Sequence, residues 1–147
     1  MKPCNFPKAT KLPVRVKVPM DTERIIVNNK KVLVTGHTGF KGSWLSMWLV
    51  HLGAKVVGAS NDEISKPSNF AVSEVSSAIE DHRIDVRDAD AIKALVKTVQ
   101  PDFVFHLAAQ TLVSVALKDP ITTFKVNIQG TFNILEASRL VGIKRLI

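Results

Sequence analysis

Gly36, Gly39 and Gly42 recur at every third position of Thr35-Gly36-His37-Thr38-Gly39-Phe40-Lys41-Gly42, between an apolar run and a segment of helical period. A turn that holds a pyrophosphate needs three glycines: one where the chain bends sharply, one where backbone approaches phosphate, and one where helix and strand pack closely. The three glycines are candidates for these roles. The helix start beyond them offers unpaired N–H groups and a partial positive charge to an anion. Glycines at this spacing also serve plain tight turns. Their place at the first strand-to-helix crossover is what points to a dinucleotide.

The segments that position this turn alternate strand and helix. Val32, Leu33 and Val34 read as a buried parallel strand. Ser43 to Leu52 reads as a helix with Trp44, Leu45, Trp48, Leu49 and Leu52 on one face, ended by Gly53. Val56 and Val57 open a second strand, Ser60 to Ser77 is polar loop with a short helix, and His82 to Val86 is a third strand. Ile92, Leu95, Val96 and Val99 mark an amphipathic helix closed by Pro101. Phe103 to Leu107 is a fourth strand ending in Ala108 and Ala109. Asp119-Pro120 starts a helix by capping and runs towards Gly142, before Leu146 and Ile147 open a fifth strand. The expected fold class is therefore α/β, a doubly wound parallel sheet of the Rossmann type that stops at about its fifth strand.

The net charge of +7 suggests nucleic acid at first sight, but residues 1–30 hold seven Lys/Arg against two Asp/Glu and the rest is nearly balanced. Pro3, Pro7, Pro13 and Pro19 exclude a continuous helix there, so residues 1–30 read as a basic, solvated leader and 31–147 as the binding domain. The leader lacks the aromatic interleaving of a nucleic-acid arm and the amphipathic helix of a transit peptide. A single cysteine, Cys4, leaves no disulfide framework, and no Cys/His cluster has metal-ligand spacing. No apolar run reaches the ~20 residues of a membrane helix. A soluble, cytoplasmic protein without metal, membrane or nucleic-acid partners is the expectation.

The Gly-x-x-Gly-x-x-Gly spacing, with Phe105-His106-Leu107-Ala108-Ala109-Gln110 and with Asn127, Gly130 and Thr131, resembles the extended short-chain dehydrogenase/reductase superfamily from Lys31 to Ile147. Within it, His37-Thr38-Gly39-Phe40-Lys41-Gly42-Ser43-Trp44 is similar to the CDP-glucose 4,6-dehydratases; GDP-mannose 4,6-dehydratases and sugar-nucleotide epimerases are the alternative enzymes. The resemblance implies NAD as cofactor, a sugar nucleotide as substrate and a homodimer when complete. It implies that Gly36 to Gly42 and Leu107 to Gln110 line the cofactor site, with Asn127 behind them. Asp85 would accept from the adenine amino group and Val86 would pack on the ring, unless Asp85 only caps a turn. Where relatives place a ribose-gripping acid this chain has Ser60; Asp62 takes that role, and with no arginine nearby for a 2′-phosphate, NAD is favoured over NADP.

In this superfamily a tyrosine, tuned by a lysine four residues later, abstracts the sugar proton. The sequence contains no tyrosine, so no catalytic residue is assigned, and the chain reads as the cofactor half of a longer enzyme. A non-catalytic dinucleotide-binding module is the reading from another class. The dehydratase pattern Pro-Leu-Val-Arg, then Ser-Tyr, is replaced by Thr111-Leu112-Val113-Ser114, then Ala116-Leu117, which leaves the exact sugar open. Trp44 and Trp48 read as core, His106 as a buried hydrogen-bonded side chain, and His37 as a turn residue at the cofactor or nucleotide with no carboxylate partner.

Overall fold

The computed structural model describes residues 26–61, 63 and 66–147, which leaves residues 1–25 of the leader and Asp62 outside the described residues. Four parallel strands, β1 (Lys31–Thr35), β2 (Lys55–Ser60), β3 (Glu80–Arg83) and β4 (Phe103–His106), lie in the order β3-β2-β1-β4. The start of the expected fifth strand is present as one parallel bridge from Val104 to Leu146, with Ile147 N–H donating to Val104 O at 2.9 Å.

Alternation along β1 builds both layers. Leu33 joins Val57, Val104, Ile92, Val96 and Ile134 on one face, while Val32 and Val34 join Val56, Leu49, Leu52 and Val27 on the other. Both faces are apolar because each is covered by helices, the condition for a parallel sheet. Helix α1 (Phe40–His51) covers one face, and α3 (Ala89–Val99) with α6 (Gly130–Val141) the other. The polar loop after β2 holds α2 (Asn69–Val72), capped by Ser68, and a 3₁₀ turn at Val75–Ala78. Asp88 caps α3 by accepting from the Ala91 amide at 3.0 Å.

Three boundaries differ from the sequence reading. Helix α1 begins at Phe40 rather than Ser43, so the glycine turn runs straight into it. Strand β3 is Glu80–Arg83, not His82–Val86, because the Asp85 carboxylate accepts from the Arg87 amide at 2.8 Å and turns the chain out of the sheet. As an edge strand, β3 carries Glu80, Asp81, His82 and Arg83, charged or titratable side chains that discourage pairing with another edge. The long helix after Asp119 is divided into α5 (Pro120–Phe124), a π turn at Lys125–Gln129 and α6, preceded by a separate α4 (Val113–Lys118). Its start is as expected: Asp119 accepts from the Thr122 amide at 3.0 Å and Pro120 sits in the first turn.

Candidate dinucleotide site

The glycine turn stands at the C-terminal end of β1, where the strand order reverses between β2 and β4. Open α/β sheets bind ligands at such a switch point. Gly36 has φ +74°, and a Cβ there would lie 2.7 Å from Ala108 N, so the turn is pressed against the loop that leaves β4. A Cβ on Gly42 would lie 2.1 Å from Gly36 O, which seats the first turn of α1 on the bend itself. Gly39 differs from both. Its φ of −74° suits any residue, and among the described residues a Cβ would meet only Gly36 O, at 3.3 Å. As N-cap of α1 it leaves the amides of Phe40, Lys41 and Gly42 without intrahelical acceptors. Thr38 fastens the turn to β2: its hydroxyl lies 2.8 Å from Ser60 Oγ and 3.5 Å from Asn61 O.

Close seating at Gly42 also explains the tryptophans. The buried face of α1 is Gly42, Ser43, Ser46 and Leu49, small residues that allow close approach, so Trp44 and Trp48 are turned outwards at 56% and 49% exposure rather than packed in the core.

His37 corrects a second expectation. Its imidazole is fully buried and has a carboxylate partner, Asp81 Oδ1 at 2.8 Å from Nε2. Gly58 makes room for the ring, which a Cβ would approach to 2.4 Å, and Phe70 meets it edge-on at 5.2 Å. The side chain therefore wedges β2 and β3 against the turn. Burial lowers its pKa, opposed by the hydrogen bond and charge of Asp81. With Nε2–H donating to Asp81, Nδ1 carries only a lone pair and makes no hydrogen bond among the described residues, and the backbone of Ala59 is the group near the ring that would favour a proton there. Arg83 doubles the anchor, with Nη2 2.9 Å from Asp81 Oδ2.

Arg83 also shows that an arginine does stand near the end of β2. It faces Ser60 across the β2–β3 register, and its Nη1 donates to Asn61 O at 3.3 Å. Registers between strands 20 residues apart do not show in local spacing.

Asp85 and Val86 lie just past β3. Besides capping its own turn, Asp85 receives the Arg87 guanidinium on both oxygens and Asn61 Nδ2 at 3.4 Å. The Arg87 hydrogen bonds hold its carboxyl below the usual carboxylate range. Val86 faces the core against Gly130, where a Cβ would lie 2.6 Å from its Cγ2. Asn133, which sequence reasoning missed, fixes this turn by donating from Nδ2 to Val86 O at 2.9 Å and Arg87 O at 3.1 Å. Its signal was an amide on the apolar side of a helix.

A hydrogen-bond chain joins the turn to the opposite wall. Thr35 Oγ1 accepts from the amides of Leu107 and Ala108 at 3.1 and 3.2 Å, so its own proton goes to His106 Nδ1, 2.7 Å away. His106 is then protonated on Nε2, which donates to Thr131 Oγ1 at 3.0 Å, and Thr131 donates to Asn127 O at 2.7 Å. His106 is thus the hydrogen-bonded histidine expected. Asn127 completes the wall by clamping Gln110, accepting its N–H at 2.8 Å and donating to its carbonyl at 3.0 Å. Leu107 and Ala108 lie against Gly36 of the turn, Gln110 is tied to Asn127, and the π turn is the element that presents Asn127.

Burial lowers the pKa of His106 as it does that of His37. Both bind a proton more readily unfolded, so the unfolded chain takes up more protons than the folded one once pH falls below about 6.5. Stability from these two groups is complete above that pH and declines on acidification towards their folded pKa values. Melting followed by circular dichroism should show the midpoint falling from pH 7.5 to 5; a midpoint unchanged over that range would count against the neutral tautomers assigned above.

Among the described residues no helix is long and apolar enough to cross a membrane, and no three His, Cys, Asp or Glu side chains are grouped to hold a metal ion. The sequence profile of the GDP-mannose 4,6-dehydratase family matches residues 33–147. Over 113 residues the chain is 43% identical to the CDP-glucose 4,6-dehydratase of Salmonella typhimurium, covering 77% of this chain and 32% of that protein. Among solved structures it is similar to UDP-glucose 4-epimerase of Thermus thermophilus in complex with NAD, with TM-score 0.70 and 34% identity over 79% of this chain and 36% of that one. An epimerase from Methanothermobacter thermautotrophicus gives TM-score 0.75 and 33% identity over 86% of this chain and 37% of that one. The chain spans about a third of the length of the curated relatives it matches. The parallel sheet, the glycine turn at its switch point and these matches agree: the chain belongs to the GDP-mannose 4,6-dehydratase family, within the extended short-chain dehydrogenases.

Proposed function

We propose that this chain is the NAD-binding part of a nucleotide-sugar 4,6-dehydratase, with CDP-glucose as the sugar nucleotide. The observation that carries the reading is Gly39: the least crowded of the three turn glycines, where among the described residues a Cβ would meet only Gly36 O at 3.3 Å, caps a helix whose first amides have no intrahelical acceptors. The 43% identity to a CDP-glucose 4,6-dehydratase supports the choice of sugar. NAD, when bound, would supply the hydride acceptor for transient oxidation at C4 of the sugar, and the same hydride would go to C6 once the C5 proton and C6 hydroxyl have left as water. The chain's own residues bind and orient: the α1 amides take the pyrophosphate, Asp85 accepts from the adenine amino group, and Leu107 to Gln110, held by Asn127, wall the other end. Asp62 is proposed as the acid on the ribose hydroxyls, with Arg83 already engaged by Asp81.

Proton abstraction by a tyrosine has no residue to carry it in these 147 residues. The expected result is that NAD raises the melting temperature while CDP-glucose yields no 4-keto-6-deoxy product. NAD at a hundred times its dissociation constant stabilises by about 2.7 kcal/mol, a shift of several degrees. Absence of any shift at millimolar NAD would remove the binding assignment, and product formation would remove the tyrosine requirement. Leu117, Ile121, Phe124, Ile128, Phe132 and Leu135 form an exposed apolar stripe along α4 to α6. We assign it to the homodimer of the full enzyme, a cytoplasmic protein.

A further inference from the structure

We infer that Arg87 is the positioning residue that sets Asp85 to select the 6-amino group of a purine, and so makes the site discriminate adenine from hypoxanthine dinucleotides. The inference rests on the dinucleotide reading above. A carboxylate on an ordinary turn swings between rotamers, and its selectivity for a donor is lost when it turns away or takes up a proton. Asp85 can do neither. Its Oδ1 accepts from the Arg87 backbone N–H at 2.8 Å and Nε at 3.0 Å, and its Oδ2 from Nε at 2.9 Å and from Nη2. Backbone and fork of one residue thus fix both the plane of the carboxylate and its charge.

A carboxylate offers about four acceptor directions, and Arg87 takes most of them. The one loose contact is Asn61 Nδ2, exposed and 3.4 Å from Oδ2. An amide N–H and an adenine amino group are the same kind of donor, so Asn61 occupies the place that the amino group takes on binding. A 6-oxo purine puts a second acceptor there and is rejected.

The test compares NAD with nicotinamide hypoxanthine dinucleotide by calorimetry, using the full 147-residue chain and its Arg87→Met, Arg87→Lys and Asp85→Asn variants. A hydrogen bond to a charged group corresponds to roughly a tenfold change in affinity. The unmodified chain should prefer NAD by about that factor. R87M should weaken NAD roughly tenfold and the hypoxanthine analogue less than about twofold, collapsing the preference. R87K, which keeps the charge but not the fork, should fall between them and provides the folded comparison if R87M is unstable. Equal losses for both dinucleotides in R87M and R87K would assign Arg87 a merely structural part and overturn the inference, as would no loss in either. If D85N collapses the preference while the Arg87 variants keep it, Asp85 reads the purine without Arg87. If D85N keeps it too, the adenine contact itself is wrong. A chain that binds neither dinucleotide overturns the proposed function as well.

Discussion

Gly42→Ala is expected to destabilise the domain by about 3 kcal/mol, against the usual rule that alanine improves a helix interior by about 1 kcal/mol over glycine. The reason is a distance. The new methyl would stand 2.1 Å from Gly36 O and 2.7 Å from His37 Cα, backbone atoms that cannot rotate away as a side chain can. Relief requires α1 to move off the sheet, which exposes Leu49 and Leu52, or the turn to open, which withdraws Gly36 from Ala108 and breaks the His37–Asp81 pair. For a domain of this size the loss corresponds to roughly 10 °C in melting temperature. Denaturant unfolding of the two proteins side by side measures it, and a variant as stable as the parent would show that α1 is seated less closely than described.

Gly39→Val should have the opposite profile, with the fold kept and the ligand lost. At φ −74° and ψ 169° the backbone accepts a valine, whose Cβ would press on Gly36 O at 3.3 Å and require a shift of a few tenths of an ångström, and an N-cap change from glycine costs about 1 kcal/mol. Its branched side chain would occupy the approach to the amides of Phe40, Lys41 and Gly42. Loss of two charge-assisted hydrogen bonds there corresponds to a fall in NAD affinity of more than about a hundredfold. Calorimetry on the folded variant decides: affinity within a few-fold of the parent would place the pyrophosphate elsewhere.

The contrast between these two glycines shows what could be read from sequence. That the turn joins the first strand to the first helix at the switch point of the sheet was legible, because three glycines fall between an apolar run and a helical period. Which glycines are crowded by backbone and which is the more open was not, since that depends on Gly36 meeting Ala108, 72 residues away. Strands β1 and β4 were legible from their apolar runs and α3 from its period; the end of β3 was lost because one side chain, Asp85, diverts the backbone. His37 with Asp81 and Arg83 with Asn61 are pairings between strands, set by register rather than by neighbours in the chain. Small residues on the inner side of α1 were a visible signal that the tryptophans face out, but Trp44, Leu45, Trp48, Leu49 and Leu52 spell a helical period by themselves.

Those tryptophans give the molecule an unusual optical character. The chain has two tryptophans and no tyrosine, and both indoles lie on the outer side of one helix. Each ring is about half exposed to water already in the native state, so loss of the fold shifts the emission less than it would for indoles buried in the core. Trp44 sits one helical turn beyond Phe40, the first residue of α1 after the glycine turn. The fluorescence of this protein thus reports on the outer side of α1 rather than on its interior.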